Sequence, residues 1–337
     1  MKRVLSFFIS LIIGVGLLFW ISRFIGWQET KSALLIFTGW HGMVIVVLTL
    51  LMILAGAWKW KTILKSQGYD LSGKEIIAPY FSCFFLIYLF PMVLFGGEIF
   101  RGYVLREKYN IPWDKAVSSV IIDKVLEATS FLVAILAGTA YFLFKIGLPP
   151  KNLCLILGVF LAVCLIAAGF FYFKIFKRES IIKSLNGFLN RREMLGGDLL
   201  GIEKEVFKFF KINKKALWRG LALAFLRVAI TWARCWMLIL FLGKSIGAFS
   251  ALTILGFYYF ATMIPIPAAL GSHEAVQVFA FNALGLGSGL APAFTMVQRG
   301  AELIVAFIGL IIFLKLGVGL LKTFLFKKID SIIKQEE

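Results

Sequence analysis

The sequence predicts an all-α, polytopic integral membrane protein, with six full spanning helices and two broken re-entrant hairpins arranged as an inverted repeat. Three observations carry this. The first is composition: 60% of the 337 residues are hydrophobic and only 16% are charged, with a mean hydropathy of +0.90. Soluble domains carry about a quarter charged residues, and so apolar a chain cannot hide its surface in one water-soluble core. The second is the spacing of the apolar runs. The third is where Lys and Arg fall between them.

A helix needs about 20 apolar residues to cross the hydrocarbon core. Six stretches qualify: 4–21, 42–58, 117–144, 152–174, 216–242 and 300–321. The first follows Met1-Lys2-Arg3 but runs from Val4 to Trp20 with no small-residue cleavage site after it. It reads as a retained helix, not a signal peptide. Two further apolar regions are broken, 77–107 by Pro91, Gly96 and Gly97, and 248–288 by Pro265, Pro267 and Gly271. Such breaks leave backbone groups free at membrane depth, which only protein or a wet cavity can tolerate.

When both broken regions enter and leave on one side, 27 of the 36 Lys and Arg fall on one face of the membrane and 5 on the other. Lys59 and Arg101 count among the 27, while Lys124, Arg227, Arg234 and Arg299 fall inside spans. The positive-inside rule makes the basic face cytosolic, with both termini there and the chain in the cell inner membrane. The formal charge of +18 is then a signature of topology and not of nucleic-acid binding. The long polar segment 176–215 has apolar residues at helical spacing, among them Ile202, Val206, Phe209 and Phe210, with Lys204, Lys208 and Lys211 opposite. It reads as two amphipathic helices joined at Gly196-Gly197, lying on the cytosolic leaflet or packed on other cytosolic loops. The whole chain, 1–337, forms one transmembrane domain.

An internal repeat lies within it. Pro91 to Glu98 reads PMVLFGGE and Pro267 to Glu274 reads PAALGSHE. Downstream of each, a cation stands three residues before a glutamate: Lys124 before Glu127, and Arg299 before Glu302. The halves, about 1–145 and 152–322, each hold two helices, a hairpin and a helix, entering from opposite sides. Inverted repeats with broken helices at their interface are a transporter architecture.

Charges inside a span cost roughly 2.5–3.5 kcal/mol each on insertion scales, so they pair or serve function. Asp123 and Glu127 share a helix face at i,i+4, and Arg227 and Arg234 share another, seven apart. Glu98 and Arg101 sit where the first hairpin turns back, and His273 and Glu274 sit in the second. With Lys124, Arg299 and Glu302 these residues form a candidate cavity for a zwitterionic or anionic lipid head group. In it arginine grips phosphate bidentately and carboxylates hold the cations or meet an amine. The competing reading is a set of ion pairs that fasten helices together. Catalytic constellations are absent: the two histidines are far apart, there is no P-loop, H-E-x-x-H or G-x-S-x-G, and no metal or cofactor is implied. The four cysteines, all in apolar stretches, read as small core residues.

The strings FPMVLFGGEIFRGYVL, AVSSVIIDKVLEATSFLVA and IPIPAALGSHEAVQVFAFNALGL resemble the lysylphosphatidylglycerol synthase transmembrane, or flippase-like, family. Gly97, Glu98 and Arg101 match its first motif directly, whereas Asp123, Lys124 and Glu127 match the next by charge only. Ala268 and Ala269 stand where the family usually has glycines. The chain ends fifteen residues after Lys322, so the resemblance implies a stand-alone module without the aminoacyl-transfer domain of larger members. It implies translocation of a phospholipid, aminoacyl-phospholipid or polyprenyl-phosphate-linked lipid. The alternatives are a membrane-embedded enzyme or accessory subunit of a lipid-modifying transferase, and a passive scaffold. The expected partners are anionic or phosphate-bearing membrane lipids, a lipid-modifying enzyme and a second copy of the chain, with no nucleic acid.

Overall fold

The computed structural model describes residues 39–89, 96–177, 179–182, 197–263, 272–287 and 290–336, and among these there are ten long helices and no strand. They are α1 (Trp40–Ser66), α2 (Gly73–Leu89), α3 (Gly96–Tyr109), α4 (Trp113–Lys145), α5 (Lys151–Lys177), α6 (Gly197–Ile212), α7 (Lys214–Phe241), α8 (Ala248–Met263), α9 (Ser272–Ala283) and α10 (Leu290–Glu336). Four stretches are long and apolar enough to cross a membrane: Trp40–Ser66, Cys154–Lys177, Lys214–Phe241 and Leu290–Gly317. They correspond to four of the six runs read from the sequence. The run 4–21 lies outside the described residues. The run 117–144 is the body of α4, which is 33 residues long and carries Asp123, Lys124 and Glu127 in its first half.

Local chemistry sets the helix ends. α2 begins at a reciprocal cap: the Ser72 amide donates to Glu75 Oε2 at 2.7 Å, and the Glu75 amide donates to Ser72 Oγ at 3.4 Å. The Ser72 bonds hold the Glu75 carboxyl below its usual range. The cap is therefore made at neutral pH and is lost as pH falls through that lowered value. α1 ends in a Schellman turn, in which Gly68 at φ 96 lets the Tyr69 amide reach Leu64 O at 3.0 Å. α7 ends the same way, with Gly243 at φ 80 and the Lys244 amide on Ile239 O at 3.3 Å.

Those two turns stand 175 residues apart, and other features recur at that spacing. α2 starts at Gly73 and α8 at Ala248. The left-handed residue after α3 is Asn110, and the first of two after α9 is Gly285. The packing recurs too. α1 lies against α7, α2 against α10, and α4 against α8. Exchanging α1 to α4 for α7 to α10 carries α2–α10 onto α4–α8, α2–α3 onto α8–α9, α3–α4 onto α9–α10 and α1–α10 onto α4–α7, all observed pairings. Backbones approach closely at equivalent places: a Cβ on Gly309 of α10 would overlap Phe81 O of α2, and a Cβ on Gly256 of α8 would lie 3.4 Å from Ala134 O of α4.

Two of the long helices differ in character. α5 is the peripheral one, with Leu155, Ile166 and Phe176 turned outward. Lipid tolerates such a surface at no cost that water would impose. α6 carries its lysines outward as the sequence reading expects, but its apolar face is not on the leaflet. Ile202, Val206, Phe209 and Phe210 are buried against Ile63, Ile122, Leu126, Ile175 and Ala224. The stripe finds a protein core because α1, α4, α5 and α7 present matching apolar groups at that end of the bundle.

Gly138 of α4 tests this packing. A Cβ there would stand 2.7 Å from Leu252 O and 3.1 Å from Gly256 Cα, both backbone atoms of α8. Gly138→Ala is expected to destabilise the protein by about 1–3 kcal/mol, as overpacking does. Gly158→Ala on α5, which meets nothing within 4 Å, is expected to change stability by less than about 1 kcal/mol, in the stabilising direction. Thermal midpoints of the two variants in detergent check the difference.

Candidate functional site

The site is built on four helices. In α4, Asp123 and Glu127 lie one turn apart on one face and Lys124 lies beside them. Gly97 lets α3 enter against α2: a Cβ on it would stand 2.7 Å from Cys83 O. That approach brings Glu98 and Arg101 to α4. α1 contributes Lys59 and α7 contributes Arg227. On α1, Gly56 leaves room for the Tyr80 ring, whose hydroxyl a Cβ there would overlap.

Asp123 is the centre. Its Oδ1 lies 3.0 Å from Lys59 Nζ and its Oδ2 3.0 Å from Arg101 Nη1. Lys59 also donates to Asp123 backbone O at 3.0 Å. The guanidinium of Arg101 lies against two neighbouring rings, 4.8 Å from Trp60 and 5.0 Å from Tyr80. Trp60 is fixed in turn by its indole N–H on Ser119 Oγ at 3.1 Å. Glu127 receives Arg227 Nη1 at 2.5 Å, Lys124 Nζ at 3.5 Å and Lys59 Nζ at 3.7 Å. Lys124 also reaches Glu98 Oε1 at 2.9 Å. Among the described residues four cations thus meet three carboxylates, one positive charge in excess. Lys59, Arg101 and Asp123 are fully enclosed, whereas the Lys124 side chain is 43% exposed. Lys124 is where the network opens.

A second network lies further along α7. Arg234 Nη2 reaches Glu302 Oε1 at 2.9 Å and its Nη1 donates to Thr49 Oγ1 at 3.0 Å. The Tyr258 hydroxyl donates to the same Glu302 oxygen at 3.3 Å. Nearby on α10, Arg299 O accepts from the Tyr88 hydroxyl at 3.4 Å. Arg227 and Arg234 are seven residues apart, so the networks are separated by about 10 Å along α7. Arg234 follows Lys59 by 175 residues, as Glu302 follows Glu127. The pair Lys59–Glu127 thus has its equivalent in Arg234–Glu302. In both networks a buried arginine, Arg101 and Arg234, has an Nε without a hydrogen-bond partner.

The structure therefore brings Glu98, Arg101, Asp123, Lys124, Glu127 and Arg227 together and gathers Arg234 and Glu302 in the adjoining network, where the sequence reading expects one cavity. Among the helix-break residues, Gly96 and Gly97 open α3, whereas Pro91, Pro265, Pro267 and Gly271 lie outside the described residues, as do the side chains of His273 and Glu274. Lys59 is a correction. The sequence reading counts it with the cytosolic cations, but it is fully buried in the first network. Arg101, counted with them as well, is buried too, which lowers that side of the count from 27 to 25 against 5. The signal for Lys59 was its spacing from Arg234. Tyr80, Trp60, Thr49 and Tyr258 had no charge to mark them. Among the described residues no group of His, Cys, Asp and Glu could hold a metal ion.

Comparison with known proteins places the chain. A family model described as the lysylphosphatidylglycerol synthase TM region matches residues 7–309. The UPF0104 membrane protein MJ1595 of Methanocaldococcus jannaschii is 24% identical over 304 residues, which cover 86% of this chain and 89% of that protein. The UPF0104 membrane protein PH1989 of Pyrococcus horikoshii is 24% identical over 310 residues, covering 87% of this chain and 91% of its own.

The network makes a graded prediction for stability. Asp123→Asn leaves Lys59 and Arg101 enclosed without their shared anion, and breaking a buried pair costs about 3–5 kcal/mol. Lys65→Gln breaks a bridge whose partners, Lys65 and Asp70, are both more than half exposed, and is expected to cost under about 1 kcal/mol. Thermal unfolding of both variants in one detergent gives the ranking.

Proposed function

The chain belongs to the lysylphosphatidylglycerol synthase transmembrane-region family, and from that premise we propose that it is a lipid translocator. Its cargo in this reading is a phosphate-bearing lipid, whose head group passes along the polar path between α1, α3, α4 and α7. The chain moves the lipid without forming a covalent bond to it, in the cell inner membrane and with both termini cytosolic.

The observation that carries this reading is the excess positive charge of the buried network among the described residues, together with its partly open cation, Lys124. A network that served only to fasten helices gains nothing from an uncompensated charge, because desolvation penalises it. A phosphate that meets Lys124 would neutralise the excess, and Arg227, engaged by Glu127, stands next to that entrance. The recurrence at 175 residues supports an inverted repeat whose halves exchange packing roles, and such repeats underlie alternating access. α7 is then the shared element, with Arg227 on one network and Arg234 on the other.

The test is Lys124→Gln. Losing a charge-assisted contact to phosphate removes about 1.5–3 kcal/mol of interaction, so transfer of labelled phosphatidylglycerol between leaflets of proteoliposomes is expected to slow by about ten- to a hundredfold. Because Lys124→Gln also leaves Glu98, 8% exposed, without the cation that meets it at 2.9 Å, the double variant Lys124→Gln, Glu98→Gln is measured beside it; it is expected to recover the thermal midpoint and to stay as slow in transfer. Transfer within about twofold of the unsubstituted protein, a change too small for such a contact, would count against a head-group role for the network.

A further inference from the structure

At one end of the bundle, where α1 finishes and α6 turns into α7, there is a cavity of about 600 Å³. It shares no residue with either buried network. Lys61 and Lys65 line it from α1, Lys214, Lys215 and Arg219 from the start of α7, and Trp58 lies at its margin. Asp70, next to it in the α1–α2 loop, is bonded to Lys65 at 2.7 Å. Among the described residues Lys61, Lys214, Lys215 and Arg219 form no salt bridge, and no carboxylate lines the cavity.

The cavity is held in shape. The Asn213 amide nitrogen donates to Ser66 O at 3.1 Å, tying the end of α1 to the α6–α7 joint. Because that side chain is engaged there, α7 starts without a side-chain cap, and its first amides add to the positive field of the lysines. Two tryptophans mark the level of the site in the bilayer. Trp58 is 64% exposed and Trp218, beside Arg219, is 70% exposed. Exposed tryptophans beside basic helix ends are characteristic of the membrane–water boundary.

We infer that this cavity is a separate binding site for the phosphate head group of an anionic phospholipid of the surrounding leaflet. The cations supply the attraction, and clusters of basic residues at a span's end recognise anionic lipid for this reason. The tryptophans and the apolar run of α1 below them leave the acyl chains in the bilayer, which favours a lipid over a soluble phosphate. The site is a docking point and not part of the translocation path, so it stands or falls independently of the proposed transport.

The test is native mass spectrometry of the full-length protein released from mixed micelles holding equal amounts of phosphatidylglycerol and phosphatidylcholine. It compares the unsubstituted protein, the triple variant Lys214→Gln, Lys215→Gln, Arg219→Gln, and a charge-matched control, Lys74→Gln, Lys108→Gln, Lys204→Gln. Lipid held by the buried networks contributes equally to all three, so the readout is the difference between them. The triple variant is expected to lose about tenfold in the ratio of bound phosphatidylglycerol to phosphatidylcholine, while the control keeps the ratio of the unsubstituted protein. Inorganic phosphate at millimolar concentration should leave the bound lipid in place. If the triple variant does not fold, Arg219→Gln alone reads the same ratio, with an expected loss of about threefold. An unchanged ratio in the variant would overturn the inference. So would displacement of the lipid by inorganic phosphate, which would assign the cavity to a soluble anion.

Discussion

The structure depends on one carboxylate. Asp123 is enclosed by protein, and a bare carboxylate there would be too costly to keep charged. Lys59 from α1 and Arg101 from α3 meet its two oxygens at 3.0 Å each. Through it three helices are fixed in register. Arg101 also lies against the rings of Trp60 and Tyr80, and through Tyr80 the cluster ties in α2 as well. Glu127, one turn on, extends the same logic to α7 through Arg227. Lipid offers no hydrophobic drive between apolar helices, so packing and polar contacts must orient them. That is why the charges sit at the crossing of α1, α3, α4 and α7.

The second network follows the same plan with fewer charges. Arg234 takes the place of Lys59, and Glu302 that of Glu127. The position equivalent to Asp123 is Gln298, buried and set against Cys235 Sγ at 3.7 Å. Without that anion the second network has less to gather, and neutral donors, the Tyr258 and Thr49 hydroxyls, complete it. Among the described residues the two networks are alike in plan but unequal in charge, and the one with the excess charge is the one that opens at Lys124.

Much of this was legible in the sequence. The long apolar runs gave α1, α5, α7 and α10 within a few residues at most ends, because hydropathy over about 20 residues is a strong signal. The proline- and glycine-bearing stretches of 77–107 and 248–288 fall between α2 and α3 and between α8 and α9, with Pro91, Pro265, Pro267 and Gly271 outside the described residues. Asp123 and Glu127 stood out because charge inside a span is rare, and Glu98 and Arg101 because they sit where the first hairpin turns back. Lys59 did not, since a lysine at the end of an apolar run looks like an ordinary cytosolic anchor. Only three-dimensional packing turns it inward. The apolar stripe of α6 was also visible, but a stripe does not say whether lipid or protein covers it. The separation of the charges into two networks comes from axial distance: Arg227 and Arg234 share a face of α7 but lie about 10 Å apart along it, so each meets a different carboxylate.

The account requires that the network be reachable from water at Lys124 while Asp123 is sealed. The most direct measurement is the reaction of a membrane-impermeant thiol reagent with Lys124→Cys, in protein whose four native cysteines are replaced, reconstituted in vesicles. The account predicts that the introduced thiol reacts, and that Asp123→Cys in the same background does not react until the protein is unfolded. A Lys124→Cys thiol that stays unreactive in both orientations of the folded protein would contradict it, and would leave the buried charges as structural fasteners alone.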